Sequence, residues 1–231
     1  CLNLADSSEW IRAWYRGVQD AKGALRFLIN NQTTYDIDPA NVFIMGESAG
    51  AFIALGVGYL DDENEKPVSC YAIADANAPH SSYYAPCIQN ASYSTPIASM
   101  DLSRSDLGSI EGILNPTSNP YQIKGIGSFY GAIFMDMFTL KTMLNVPALY
   151  MFHQPNDLIV PIGFDPLFKG FNTCAANTGC VSIQDRPYSY GSQAINQLVT
   201  NLSIPTNHKP TIQLEVTTNS ADCLAQVLNP A

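Results

Sequence analysis

The sequence predicts an α/β fold with a parallel sheet. Three observations carry this reading: helix-period and strand-period segments alternate, the strand candidates are short all-apolar runs, and one of these runs stops at a glycine-flanked serine. In chain order, Ser7 or Ser8 can cap a first helix with Glu9 in its first turn. Ile11, Tyr15, Val18, Ala21, Leu25 and Leu28 then recur at three- and four-residue steps, so the helix is expected to end near Asn31. Asp38-Pro39 marks a turn, and Val42-Phe43-Ile44-Met45 is apolar on both faces, as in a strand covered on each side and paired along both edges. A second helix is expected over Ala49 to Leu60, with strands over Val68 to Ala76, Val146 to Phe152 and Thr211 to Thr218. Ser189 to Leu202 reads as the helix before the last strand. Between them, Ser81 to Met143 is rich in Tyr, Phe, Ser and Pro with weak periodicity, and is expected to be a lid-like insertion over the carboxyl ends of the strands.

A length of 231 residues fits one domain, 1–231, able to bury a sizeable core. With 46% hydrophobic and only 13% charged residues, the composition excludes intrinsic disorder, and no repeat or low-complexity tract is visible. The longest apolar runs fall far short of the roughly 20 residues of a membrane helix, so no membrane span is expected. Eleven Lys and Arg against twenty Asp and Glu leave a formal charge of -9, a field that repels phosphate backbones and makes nucleic acid an unsuitable partner. Asp61 to Glu65 (DDENE) concentrates part of this charge and reads as a solvated surface loop, since no EF-hand spacing follows.

The cysteines at 1, 70, 87, 174, 180 and 223 form an even set without CxxC or His-rich spacing, which favours disulfides over zinc and an oxidising compartment: secreted, periplasmic or cell-surface. Cys174 and Cys180 bracket a turn-rich pentapeptide, so this bridge is the first expected; the other pairings stay open.

Gly46-Glu47-Ser48-Ala49-Gly50 matches G-x-S-x-G between a strand and a helix, a pattern for which a chain of this length and composition yields about 0.08 chance matches. The glycines at 46 and 50 are expected to remove Cβ atoms that would clash where the chain turns sharply, and the turn to force Ser48 into a strained, exposed conformation. Ser48 is therefore the candidate nucleophile, and it needs a base and an oxyanion donor. The amide of Ala49, first in the helix, is one such donor.

The run from Asp38 to Ala51 resembles the nucleophile region of α/β-hydrolase carboxylesterases, and the run from Val146 to Pro161 (VPALYMFHQPNDLIVP) resembles the strand and acid loop of the same superfamily. Asp20, Ala24 and Leu25 in the first helix also resemble that pattern. The resemblance implies an α/β-hydrolase fold, a Ser-His-acid triad with Asp157 as the acid, and no metal or organic cofactor. Asp75, near the end of the preceding strand candidate, is the alternative acid. None of the three histidines fits the expected order. His153 stands where the superfamily has a structural histidine, His80 comes too early, and His208 precedes the last strand, at the rim away from Ser48. The catalytic histidine is accordingly expected beyond Ala231. Only four of about eight sheet strands are recognisable, so a companion segment of the same precursor is expected to complete the sheet and supply a second oxyanion donor. The function expected is cleavage of a small-molecule or lipid-like carboxylic ester through an acyl-enzyme on Ser48. The alternative is a non-catalytic binding or scaffold protein on the same fold, lacking the base.

Overall fold

The computed structural model describes residues 7–74, 103–138, 146–169, 172–175, 179–182, 186–205 and 208–217. Helix α1 runs over Ser7–Asn30, strand β1 over Val42–Glu47 and helix α2 over Ala49–Tyr59. Strand β2 follows at Ile123–Phe129, then β3 at Ala132–Ile133, β4 at Ala148–His153 and β5 at Phe164–Pro166. Strands β6 (Asn172–Ala175) and β7 (Gly179–Ser182) form a hairpin, β8 (Tyr188–Gly191) runs directly into helix α3 (Ser192–Asn201), and β9 (Ile212–Val216) is the last element.

Strands β1, β2, β4 and β9 form, in that order, one sheet whose neighbours are all parallel. The α/β architecture and parallel sheet expected from the sequence are therefore present. One face buries Ile126, Ser128, Leu149, Met151 and His153 beneath the helices, with α2 against β1 and β2, and α3 against β4 and β9. Each such aliphatic side chain, fully withdrawn from water, contributes on the order of 2 kcal/mol. Glycines let the layers approach closely. A Cβ on Gly58 would run into Ile126, and one on Gly56 into Val18 and Trp14 of α1.

Over 68–74, the described part of the strand expected at Val68 to Ala76, the chain forms instead a single 3-10 turn at Val68–Cys70 and an isolated antiparallel bridge between Ile73 and Arg104. The physical reason is a competing hydrogen-bond donor. Arg12 of α1, only 1% exposed, donates from Nη1 to the carbonyls of Ser69 (2.8 Å) and Tyr71 (3.3 Å), and from Nη2 to that of Ser105 (2.6 Å). Backbone acceptors of this stretch are thereby taken by a guanidinium instead of a sheet ladder. Asp75 lies outside the described residues.

The place in the sheet belongs instead to β2, which falls inside the stretch expected as an insertion over 81–143. Gly125 and Gly127 weaken its strand signal. Both sit on the sheet face away from the helices, and a Cβ would lie only 3.1 Å from the Phe43 ring and 3.0 Å from Met45 Cβ. Of that stretch, residues 103–114 pack on α1, and 81–102 and 139–143 lie outside the described residues. Lys22 Nζ donates to Leu60 O (2.7 Å) and Glu111 Oε1 (2.5 Å), and Arg26 reaches Glu111 and the Leu114 carbonyl. Strand β1 departs from the coverage expected on both faces: its burial alternates, with Phe43 72% and Met45 73% exposed, and among the described residues it lies at an edge of the four-stranded sheet.

The acidic run at 61–65 is not a plain surface loop. Asp62 caps a 3-10 turn over Glu63–Glu65 in a capping box, and Glu65, 2% exposed, accepts from the amides of Asp61 and Asp62. Cys70 is a buried free thiol, contrary to an all-disulfide set, and burial raises its pKa to about 11. The expected Cys174–Cys180 bridge involves side chains outside the described set; the backbone register of β6 and β7 places the two positions opposite each other.

Replacing Arg12 with Leu is expected to cost about 3 kcal/mol, because three carbonyls lose a charged donor. The same measurement on Arg16→Ala, at an exposed position of α1, should stay within about 0.5 kcal/mol. A chemical-denaturation midpoint at an unchanged slope reads both.

Candidate active site

The site begins with the turn between β1 and α2. Ser48 adopts φ 51 and ψ -122, a left-handed conformation that costs a non-glycine residue on the order of 1 kcal/mol or more. Backbone bonds hold it there: its N–H donates to Phe129 O of β2 (2.8 Å), and its carbonyl accepts from Ala51 (2.9 Å) and Phe52 (3.2 Å). The side chain makes no cap hydrogen bond to α2 and is exposed, free to act outward. Ala49, the first residue of α2, is exposed as well, and helix geometry leaves its N–H without an intrahelical acceptor.

The two glycines of the motif differ in role. A Cβ on Gly46 would drive into the carbonyl of Gly50 and the amide of Ala51, so only glycine permits the strand to pass this close under the helix. A Cβ on Gly50 would meet nothing within 4 Å, and the residue is exposed, so the steric role expected for it is absent.

Asp157 follows β4 in the loop at the same carboxyl end of the sheet. Its Oδ1 accepts from the amides of Ile159 and Val160, both at 2.9 Å, which fixes one oxygen and leaves the other for a further partner. Strands β1 and β4 are separated only by β2, so their axes lie about 10 Å apart, a gap that an imidazole with two hydrogen bonds spans.

The described histidines do not fill that gap. His153, 0% exposed, is held at both ring nitrogens: Nδ1 lies 2.8 Å from Ser192 Oγ and Nε2 3.0 Å from Val160 O, with Asp157 Oδ2 at 3.6 Å. A carbonyl can only accept, so Nε2 carries the proton and a neutral ring accepts at Nδ1 from the Ser192 hydroxyl. Burial pushes the His153 pKa below its ordinary value, with the Val160 carbonyl and the Asp157 carboxylate opposing the shift. His208 precedes β9 at the amino end of the sheet, opposite Ser48, and its Nδ1 is buried without a partner. His80 lies outside the described residues.

Two residues at this edge carry no sequence signal. Tyr130, just after β2, is also left-handed at φ 55, and register places it between Ser48 and His153. Its ring lies edge-on to Phe152, at 5.5 Å, and to His153, at 6.0 Å. A tyrosine gives no hint of a positive φ, which a glycine or asparagine would have suggested. Ser192 meets His153 only because α3 starts beside the loop that follows β4, a contact across 39 residues.

Comparison with known proteins adds one match. The family model BD-FAE, an esterase family of α/β-hydrolase type, matches residues 11–94, a span that contains β1, the serine turn and α2. No curated protein and no solved structure matches the chain. The match supports a hydrolase of the esterase type. Among the described residues no helix is long and apolar enough to cross a membrane.

Gly46→Ala is expected to lower the thermal midpoint by several degrees and disrupt the serine turn, whereas Gly50→Ala should leave it within about two degrees, as read by calorimetry. His153 sets a pH dependence as well. Because its pKa is lowered in the folded state, the unfolded chain binds the extra proton first. Stability is thus lost as pH falls through the unfolded value of about 6.5 and levels off below the folded one. Chemical denaturation at pH 7.5 and 5.5 should show this loss in the wild type and a smaller one in His153→Gln.

Proposed function

For this chain of α/β-hydrolase type, we propose a serine hydrolase that cleaves carboxylic esters through an acyl-enzyme on Ser48. The observation that carries the reading is the left-handed Ser48 at an exposed strand-to-helix turn, since a strained and outward-facing serine is what nucleophilic attack from this position requires. The BD-FAE match over the same segment supports it.

In the proposed reaction Ser48 Oγ adds to the ester carbonyl carbon while a histidine other than His153 and His208 takes its proton. The carbonyl oxygen, now negative, accepts from the Ala49 N–H at the start of α2, where the helix dipole favours negative charge. Collapse of the adduct breaks the bond to the alcohol oxygen, which leaves with the proton from the histidine. Water then adds to the acyl carbon, gives its proton to the same histidine, and releases the carboxylic acid and free Ser48. Asp157 orients that histidine and stabilises its cationic form. The scheme calls on no metal or organic cofactor. Its substrate is a small-molecule or lipid-like ester.

The remaining parts of the proposal are architectural. The edge of β1 with which no described strand pairs, and the exposed Phe43 and Met45, favour a companion segment of the same precursor that pairs with β1 and brings a second oxyanion donor. The cysteine count favours a secreted, periplasmic or cell-surface protein, with Cys174 bridged to Cys180. A second reading, a non-catalytic binding protein on this scaffold, is favoured by one observation: no described histidine approaches Ser48.

A fluorophosphonate probe separates the two readings. The natural protein should be labelled at Ser48 and hydrolyse 4-nitrophenyl acetate, and Ser48→Ala should lose both by at least about a thousandfold while keeping its melting temperature within about two degrees. A natural protein inert to the probe would leave the binding reading standing.

A further inference from the structure

Away from Ser48 the fold brings a serine, a histidine and an aspartate together: Ser192, His153 and Asp157. Their geometry is not that of a nucleophilic triad. Ser192 and His153 are both fully buried, so no substrate can reach the hydroxyl. The carboxylate is also the more distant partner of the ring: His153 Nε2 is 3.0 Å from Val160 O and 3.6 Å from Asp157 Oδ2. The hydroxyl points its proton at Nδ1 instead of losing it to a base.

What the arrangement does is join three elements. Ser192 is the first residue of α3, His153 is the last residue of β4, and Val160 and Asp157 belong to the loop that carries the acid. Further bonds close the same seam. The amides of Gln193 and Ala194 donate to Ile162 O, at 2.9 and 3.4 Å, and that of Gly191 donates to Gly163 O, at 2.9 Å, so the loop backbone caps the start of α3. The groups facing the ring are the Ser192 hydroxyl, the Val160 carbonyl, the Asp157 carboxylate and the Tyr130 ring.

We infer that Ser192 and His153 are positioning residues for Asp157: the Val160 carbonyl sets the ring tautomer, the Ser192 hydroxyl anchors the ring at its other nitrogen, and the ring's Nε2–H grips the acid loop so that Asp157 is presented at the carboxyl end of β4. This rests on the reading of Asp157 as the triad acid. The carboxylate itself does not hold the loop to the strand. Its Oδ1 only closes a local turn, so the longer-range tie must come from the ring and from α3. A ring in the other tautomer would place a lone pair against the Val160 carbonyl and release the loop.

The test uses the full natural protein with 4-nitrophenyl acetate, together with the ring nitrogen shifts of His153. The wild type should show a neutral Nε2–H ring from pH 7.5 to 9. Ser192→Ala should lower kcat by about tenfold or more with KM within about twofold, since a small displacement of an orienting group acts on the reaction and not on ground-state binding. Ser192→Thr, which retains the hydroxyl, should recover most of kcat. His153→Phe should lower kcat further, and Ser192→Ala keeps the inference testable if that variant does not fold. A kcat within twofold of wild type in Ser192→Ala at a temperature where it is folded, an Nδ1–H ring, or phosphonate attached to Ser192 would each overturn it. Active wild type with unaffected variants removes this inference alone, whereas a wild type without turnover removes the esterase reading and this inference with it.

Discussion

The close passage of β1 beneath the start of α2 is the constraint on which the rest of the structure depends. Gly46 lies so near the Gly50 carbonyl that no side chain fits between them, and the chain can reverse within that space only by taking Ser48 through positive φ. The turn aims α2 back along the sheet, where Gly58 and Gly56 let it settle against Ile126 on one side and α1 on the other. Strain at Ser48 is held by a bond to β2, by the helix bonds that begin at its own carbonyl, and by the burial of nearly all of α2 after its first residues.

A second set of interactions organises the irregular part of the chain. Arg12, Lys22 and Arg26 lie on the buried side of α1, and each offers its charge to carbonyls or carboxylates of residues 60–71 or 105–114. Buried cations are tolerable only with such partners, so the irregular segments are shaped to supply acceptors in place of sheet ladders. The Glu9–Arg104 pair, at 2.5 Å, extends the same seam to the bridge at Ile73. Hydrophobic contact alone would leave these segments with many equivalent arrangements; directed hydrogen bonds select one.

The sheet is asymmetric. Its helix-covered face is dry, while the other presents Phe43 and Met45 to solvent beside the aromatic contacts of Phe129 with Tyr150 and Phe152. At the carboxyl edge this asymmetry matters for chemistry. Ser48, Tyr130 and His153 occupy successive places in one row, the first two left-handed and the third buried, so the exposed serine turn and the loop after β4 lie at the same end of the sheet.

The sequence by itself determined what depends on local chemistry. The helix over Ser7–Asn30, the apolar run of β1, the glycine-serine turn and the helix behind it, and the strand that leads to Asp157 all follow from periodicity and from residues whose backbone demands are specific. Tertiary structure decided what depends on a distant partner. Val68 to Ala76 has the composition of a strand, yet the carbonyls of Ser69 and Tyr71 are taken by Arg12, 57 and 59 residues earlier. Ile123–Phe129 has two glycines and reads poorly as a strand, yet it lies within the sheet, where Phe43 and Met45 beside those glycines occupy the space that side chains there would need. His153 reads from its place before Asp157 as a structural histidine, yet which groups hold its ring, Ser192 and Val160, is settled only by packing. Periodicity and turn chemistry act over a few residues and can be read along the chain, whereas the acceptors, voids and buried partners that settle these three cases exist only once remote segments have packed.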